Sequence, residues 1–186
     1  MMRMISAYSA IKLLPRCLVV FDIDDTVLHF PSHDRAWWKN TKANYMITQD
    51  MDDPSAEHQT LLDWRAGVST LDALPINKEE FHQFYNDAAI QQCDLIFLTA
   101  RDSSMKEVTY NHVRNSLLPT VHDQQIYFSE HKGPALKHIL QTNYPQHKHV
   151  IFIDDYEKNH QSVLATFQDD PNITLDVYHF VHQHHL

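Results

Sequence analysis

The fold of this chain is decided at residues 17–26, which read CLVVFDIDDT. The apolar run 17–21 predicts a buried strand, and Asp22 and Asp24 follow it directly. Ligands of open parallel sheets bind at the carboxyl ends of the strands. Two carboxylates this close repel each other when both are ionised, and a bound cation or a retained proton relieves the repulsion. The alternative is structural: the two aspartates only shape or cap a turn.

A second acidic pair follows another apolar run. Residues 149–153 read HVIFI and predict a strand, and Asp154 and Asp155 come directly after it. Adjacent carboxylates at a sheet edge are costly without a nearby cation, and hard oxygen ligands are those that Mg²⁺ prefers. Here too the alternative is a pair of turn residues.

Three weaker signals lie between the acidic pairs. Thr99 ends the apolar run 94–98, and its hydroxyl suits a phosphoryl oxygen; Arg101 follows it. Lys132 stands where a helix is predicted to begin and can offset phosphate or carboxylate charge. Taken singly, Thr99 is more readily a helix N-cap or loop hydroxyl, and Lys132 is more readily a solvated lysine. Arg101 is equally suited to a substrate anion or to a neighbouring acid.

The remaining pattern predicts an α/β fold. Strands are predicted at residues 17–21, 94–98, 125–128, 149–153 and 174–181. Helices are predicted at about 77–92, from Ser103 or Ser104 onward, and at about 134–141 and 158–167. Strands that alternate with helices indicate βαβ units. The prediction is therefore one domain over residues 1–186, a three-layer α/β/α, Rossmann-like, mostly parallel sheet of about five strands.

Residues 30–75 fit this alternation poorly and predict a small helical cap or flap inserted after the first strand. Two helices are expected in it, at about 34–47 and 54–68. Trp37 and Trp38 lie in the insertion, where they either wall an aromatic or apolar leaving group or pin the insertion to the core. Residues 1–14 are expected to form a short helix or arm and not a signal peptide.

Composition restricts partners and location. The formal net charge is −9 without a basic cluster, which disfavours nucleic acid. With glycine only at Gly67 and Gly133, a glycine-rich phosphate loop is excluded. Cys17 and Cys93 do not make a disulfide framework, so a cytoplasmic location is expected, while export stays open. No apolar run is long enough to span a membrane. The C-terminal histidines, His179, His182, His184 and His185, are expected to be a solvated tail and not a metal site.

The order of these motifs resembles that of the haloacid dehalogenase (HAD) superfamily of phosphohydrolases. The matching features are Asp-x-Asp-x-Thr at 22–26, Thr99 after a strand, Lys132, and Asp-Asp at 154–155 after a strand. The resemblance covers about residues 17–159, and it is closest to acid-phosphatase-like members that are nearly capless or have a small cap.

This resemblance implies the catalytic roles. Asp22 matches the nucleophile that forms an aspartyl-phosphate, and Asp24 matches the acid/base. Thr99 matches the hydroxyl that positions the phosphoryl group, and Lys132 matches the cation that steadies Asp22 and the phosphate. Thr99, Lys132 and Arg101 form the expected substrate-binding set.

The resemblance also implies a Mg²⁺ cofactor. Its ligands would be Asp22, Asp154 and the main-chain carbonyl of Asp24, with Asp155 as a secondary acid near the ion. Because Asp24 is an acid, halide displacement is disfavoured and phosphate-ester hydrolysis is favoured.

The sequence therefore predicts a Mg²⁺-dependent phosphomonoester hydrolase. Its expected partner is a phosphorylated substrate, either a phosphoprotein such as one carrying phosphotyrosine or a small phosphorylated metabolite, and not a nucleic acid or a membrane. The alternative from another class is a non-catalytic HAD-like binding module, which the presence of all the motif acids disfavours. The physiological substrate and the oligomeric state stay open.

Overall fold

Six parallel strands form the central sheet of the computed structural model, which describes residues 2–182. They are β1 (Met2–Ile5), β2 (Leu18–Phe21), β5 (Asp94–Thr99), β6 (Ile126–Phe128), β7 (His149–Asp154) and β8 (Thr174–Phe180). A short antiparallel pair, β3 (Leu28–His29) with β4 (Leu74–Pro75), lies outside this sheet. The strand order is β1-β8-β7-β2-β5-β6. The predicted α/β, Rossmann-like fold is confirmed.

Six α-helices within the described residues flank or extend the sheet. They are α1 (Arg35–Thr48), α2 (Asp53–Val68), α3 (Lys78–Ile90), α4 (Lys106–His112), α5 (Lys132–Thr142) and α6 (Glu157–Phe167). A π-helical turn, Val113–Leu117, continues α4. α3 and the turn after α4 pack on one face of the sheet, and α5 and α6 pack on the other. The result is the predicted three-layer arrangement.

Strand β2 shows why the first apolar run is continuous and not alternating. All four of its residues are buried, because both faces of a parallel sheet are covered. Val19 and Phe21 belong to the core under α3, whereas Leu18 and Val20 belong to the core under α5 and α6. The strand is therefore an inner strand of the sheet, and Asp22 and Asp24 follow its carboxyl end.

The chain order makes a crevice beside β2. From β2 the chain moves outward through β5 to β6, then crosses back to β7 and β8 on the other side of β2. The switch point thus lies between β2 and β7, where open α/β sheets bind ligands. The amide of Asp22 donates to the carbonyl of Ile153 at 2.8 Å, so the two acidic strand ends are joined directly.

The expectation of an N-terminal helix or arm is wrong in part. Met2–Ile5 form strand β1, which pairs in parallel with β8 and covers an otherwise open edge. A single 3₁₀ turn, Tyr8–Ala10, follows. Tyr8 is fully buried, and its hydroxyl lies 2.8 Å from the carbonyl oxygen of Thr26 and 3.0 Å from that of Ile76. The segment therefore braces the loop that carries the first motif.

Both predicted helices of the insertion are present, as α1 and α2, and together we call them the helical hairpin. Asp34 caps α1 by accepting from the amide of Trp37, and Asp52 caps α2 by accepting from that of Ser55. The sequence pattern predicts that Ser103 or Ser104 caps the helix after β5, but the structure shows a different capping residue. Asp102, and not Ser103 or Ser104, accepts from a backbone amide there, because its carboxylate reaches the amide of Ser104.

Both cysteines are free, as predicted, and their sulfur atoms lie 3.0 Å apart at the starts of β2 and β5. Burial raises the pKa of the Cys17 thiol to about 12. Of the C-terminal histidines, His179 is part of β8 and its ring packs near that of His160, so it is not a solvated tail residue. His182 packs against His29, and His184 and His185 lie outside the described residues.

No helix within residues 2–182 is both long and apolar enough to cross a bilayer. The cytoplasmic location stays a prediction.

Candidate active site

Four of the predicted site residues meet where the carboxyl ends of the parallel strands lie side by side. We call this side of the sheet the acidic edge. Asp22 follows β2, Thr99 and Asp154 end β5 and β7, and Lys132 begins α5. Thr99, Lys132 and Asp154 are fully buried and Asp22 is 6% exposed. Charged groups are rarely buried unless paired, so the edge is a built polar site and not a solvated turn.

Lys132 is the link between the two acidic strand ends. Its Nζ lies 2.5 Å from Oδ1 of Asp22 and 2.6 Å from Oδ2 of Asp154. Burial alone disfavours the charge, but the two adjacent carboxylates raise the pKa of Lys132 above its usual value. The lysine is therefore a fixed positive charge between the strand ends.

Asp154 is held by several groups from its own loop and α6. The amide of Tyr156 donates to Oδ1 at 2.8 Å, and Nδ2 of Asn159 lies 3.1 and 3.0 Å from the two carboxylate oxygens. His160 Nε2 lies 2.9 Å from the main-chain oxygen of Asp154. Sequence reasoning did not single out His160, whose only local signal is its place in the first turn of the helix after the acidic strand end. These contacts fix the direction of the carboxylate.

Three of the four predicted metal-ligand residues form one acidic cluster. Oxygen atoms of Asp22, Asp154 and Asp155 lie within 4.8 Å of one another. Burial, reinforced by the neighbouring acids, raises the pKa of Asp22 well above its usual range, although Lys132 opposes the rise. Burial likewise raises the pKa of Asp155 to about 7. A further cation would relieve this crowding, and the all-carboxylate donor set fits Mg²⁺.

Arg35 approaches the cluster from the helical hairpin. Its guanidinium pairs with the carboxylate of Asp155 and lies 3.8 Å from that of Asp25. Sequence reasoning missed this residue, because an arginine at the start of a helix carries no signal for a partner 120 positions away. The contact places the hairpin directly over the acidic edge.

Among the described residues, Asp24 is not part of that cluster. Arg101 donates to both carboxylate oxygens of Asp24, with Nε 2.9 Å from Oδ2 and Nη2 2.7 Å from Oδ1. Of the two roles open to Arg101, the structure shows the pairing with an acid. Its contact with substrate stays a prediction, as does the use of the Asp24 main-chain carbonyl as a metal ligand.

Arg101 is itself enclosed. Its guanidinium lies over the rings of Phe30 and Trp64, at 5.5 and 5.7 Å from their centroids. Nη1 reaches the hydroxyl of Thr109 at 3.2 Å and Nδ1 of His112 at 3.1 Å. Since a guanidinium only donates, that histidine nitrogen must accept. Burial, together with the charge of Arg101, lowers the pKa of His112 and favours this neutral form.

Thr99 lies beside this arrangement. Its Oγ1 accepts from the amide of Arg101 at 3.1 Å, which orients the hydroxyl at the strand end. Trp37 packs on His33, with ring centroids 4.5 Å apart, whereas Trp38 approaches Trp64 at 6.5 Å. Sequence reasoning did not single out Trp64, whose role depends on contacts between α2 and the core.

Comparisons with known proteins identify a family by sequence and a fold by structure. The model of the family described as "Protein of unknown function (DUF2608)" matches residues 2–130 and 124–185. No curated protein sequence matches.

Among solved structures, a HAD hydrolase of family IA, variant 3, from Entamoeba histolytica HM-1:IMSS is 13% identical with a TM-score of 0.55, covering 86% of this chain and 82% of that one. A haloacid dehalogenase-like family hydrolase from Xanthomonas campestris is 14% identical with a TM-score of 0.52, covering 88% and 90%. At such identities the likeness is one of fold.

Proposed function

Because the chain belongs to the DUF2608 family and has the fold of HAD hydrolases, we propose that it is a Mg²⁺-dependent phosphomonoester hydrolase. The observation that carries the proposal is the buried bridge from Lys132 to Asp22 and Asp154, beside Asp155. Such a convergence of acids around one lysine is costly for stability alone, and it suits the binding and transfer of a phosphoryl group.

In the first half-reaction, a carboxylate oxygen of Asp22 attacks phosphorus. The new Asp22 O–P bond forms as the P–O bond to the leaving group breaks, and the departing oxygen takes a proton from Asp24. Lys132 keeps a positive charge beside Asp22, and the Thr99 hydroxyl, whose oxygen accepts a hydrogen bond from the amide of Arg101, donates a hydrogen bond to a phosphoryl oxygen.

In the second half-reaction, water attacks the phosphorus of the aspartyl-phosphate. Asp24 accepts a proton from that water, the Asp22 O–P bond breaks, and inorganic phosphate leaves. Because Arg101 donates to both oxygens of Asp24, this carboxyl group keeps one position in both half-reactions.

Asp22, Asp154 and Asp155 would hold the Mg²⁺ ion. When bound, the ion supplies positive charge that offsets the charge on the transferring phosphoryl group. For the substrate we propose either a phosphoprotein or a small phosphorylated metabolite.

The test is hydrolysis of para-nitrophenyl phosphate with Mg²⁺, with EDTA, and by the Asp22→Asn variant. We expect hydrolysis that needs Mg²⁺ and that falls by about 10³-fold or more in Asp22→Asn, since the variant keeps the shape and loses the nucleophile. Asp169→Asn, which changes an exposed acid on the far side of α6, is the matched control and should keep full activity.

Two outcomes would contradict the proposal in different ways. Activity that survives in Asp22→Asn would remove the covalent mechanism. No hydrolysis with any divalent ion, in wild-type protein with an intact fold by circular dichroism, would favour the non-catalytic binding module.

A further inference from the structure

A cavity of about 240 Å³ opens between the helical hairpin and the acidic edge. Its lining includes Asp24 and Ala100 from the core, Trp38 from α1, and Leu61 and Trp64 from α2. Among the described residues, the lining does not include Asp22, Thr99, Lys132 or Asp154. The cavity therefore lies next to the phosphoryl site, and Asp24, the acid/base of the proposed reaction, lines it together with Arg101.

The position of Asp24 decides what the cavity holds. In the proposed reaction, Asp24 protonates the oxygen of the leaving group, and in-line attack by Asp22 places that oxygen on the far side of phosphorus from Asp22. Because Asp24 lines the cavity, a leaving group whose oxygen contacts Asp24 extends into the cavity. This step rests on the proposed function.

Two tryptophan rings form the flat, aromatic part of the cavity wall. The rings of Trp38 and Trp64 lie edge to face, with centroids 6.5 Å apart and an angle of 63°. Trp64 is held in place, since its Nε1 donates to the carbonyl of His33 at 3.1 Å and its ring lies under Arg101. A rigid aromatic wall favours a ring over a flexible or hydrated chain, because aromatic pairs gain beyond simple burial.

Each of the three arginines of the lining lies near an acid among the described residues. Arg101 binds Asp24, Arg35 pairs with Asp155, and Arg65 lies 3.8 Å from Asp102. A second anionic group on the substrate would therefore compete with these acids for a guanidinium, which disfavours such a group. The volume also lies below the roughly 300–1,000 Å³ of common ligand sites, which limits the occupant to about one ring.

We propose that the substrate is an aryl phosphomonoester whose leaving group is a single uncharged aromatic ring, and that Trp38 and Trp64 determine this specificity. The ring could belong to a small phenol or to a tyrosine side chain, since the two share the same chemistry. Trp38 lies on the hairpin, so the hairpin acts as the specificity element of the site.

The experiment compares two esters of the same size, phenyl phosphate and cyclohexyl phosphate. The two esters differ in intrinsic reactivity, but this difference cancels when kcat/KM of a variant is divided by kcat/KM of the wild-type protein for the same ester. In Trp38→Leu we expect kcat/KM for phenyl phosphate to fall about 3- to 10-fold more than that for cyclohexyl phosphate. Trp38→Phe keeps a ring and should restore most of the preference.

Trp37→Leu is the matched control. Trp37 neighbours Trp38 on α1 and packs on His33, and it does not line the cavity. We expect it to keep the wild-type ratio of the two esters. An equal loss for both esters in Trp38→Leu, or the same loss of preference in Trp37→Leu, would overturn the inference.

Further substrates test whether the ring belongs to a small phenol or to a protein, and whether the ring is uncharged. Phosphotyrosine amide and a phosphotyrosyl peptide distinguish a small phenol from a protein substrate, according to which has the higher kcat/KM. A carboxylate added to the ring should raise kcat/KM less than 3-fold, and a 10-fold gain would contradict the uncharged ring. Hydrolysis without any aryl preference overturns this inference alone, whereas no hydrolysis of any ester overturns the proposed function.

Discussion

The contacts of one side chain, Arg101, fix the position of the Asp24 carboxyl group. Asp24 is not part of the acidic cluster of the described residues, and Arg101 donates to both of its carboxylate oxygens. A fork of two parallel N–H···O bonds fixes orientation better than a lysine would. The enclosure of Arg101 by Phe30 and Trp64 makes that orientation rigid.

Replacement of Arg101 distinguishes its two possible roles. If it positions Asp24, Arg101→Met should lower kcat by about 10- to 100-fold with little change in KM, because the acid/base is misplaced while the phosphate site is intact. A substrate-binding role predicts a raised KM instead. Steady-state kinetics on para-nitrophenyl phosphate separates the two, with the exposed Arg114→Met as the control. Unchanged kcat and KM would exclude both roles.

Among the elements, α5 and α6 carry most of the support for the site. α5 brings Lys132 to the acids, and α6 brings Asn159 and His160 to Asp154. The two helices cross closely at Gly133, whose amide donates to the hydroxyl of Ser162 at 3.2 Å. The position of Lys132 therefore depends on the spacing of two helices.

A side chain at Gly133 should push these helices apart. A Cβ atom there would lie 2.3 Å from the carbonyl oxygen of Ser162 and 2.4 Å from Oγ1 of Thr166. We expect Gly133→Ala to reduce the free energy of unfolding by about 1–3 kcal/mol, measured by urea denaturation, and to lower activity as well. Gln141→Ala, at an exposed position of α5, should change stability by less than about 0.5 kcal/mol. Wild-type stability in Gly133→Ala would show that the crossing tolerates a methyl group.

For the whole molecule, the main electrostatic feature is the concentration of negative charge at one edge. The chain has a formal net charge of −9, and three buried or nearly buried carboxylates converge at the end of the sheet. The lysine and the arginine that pair with them leave an excess of negative charge. The fold thus places its least favourable charges where a divalent cation would relieve them.

A divalent cation should therefore stabilise the folded protein. At a free Mg²⁺ concentration about 100 times the dissociation constant, binding adds about 2.7 kcal/mol, which raises the unfolding midpoint by about 5–10 °C. Differential scanning calorimetry measures this shift without any substrate. Asp22→Asn should show a clearly smaller shift, and Asp169→Asn the full one. Equal shifts in all three proteins would place the ion elsewhere.

The sequence by itself determined the strands that carry the motif acids, because the runs 18–21 and 150–153 are apolar throughout and a parallel sheet buries both of its faces. It also determined the order of the site residues and the approximate bounds of the two helices of the hairpin, which the structure places at Arg35–Thr48 and Asp53–Val68. These features depend on neighbours within a few positions.

Only the tertiary structure decided the partners that the site uses. The pairing of Arg101 with Asp24 joins residues 77 positions apart, that of Arg35 with Asp155 joins residues 120 apart, and β1 pairs with a strand at the other end of the chain. The cavity between Trp38 and Trp64 likewise exists only where the hairpin meets the sheet. Local sequence patterns encode burial and backbone direction, whereas the choice among distant partners is set by the packing of the whole chain.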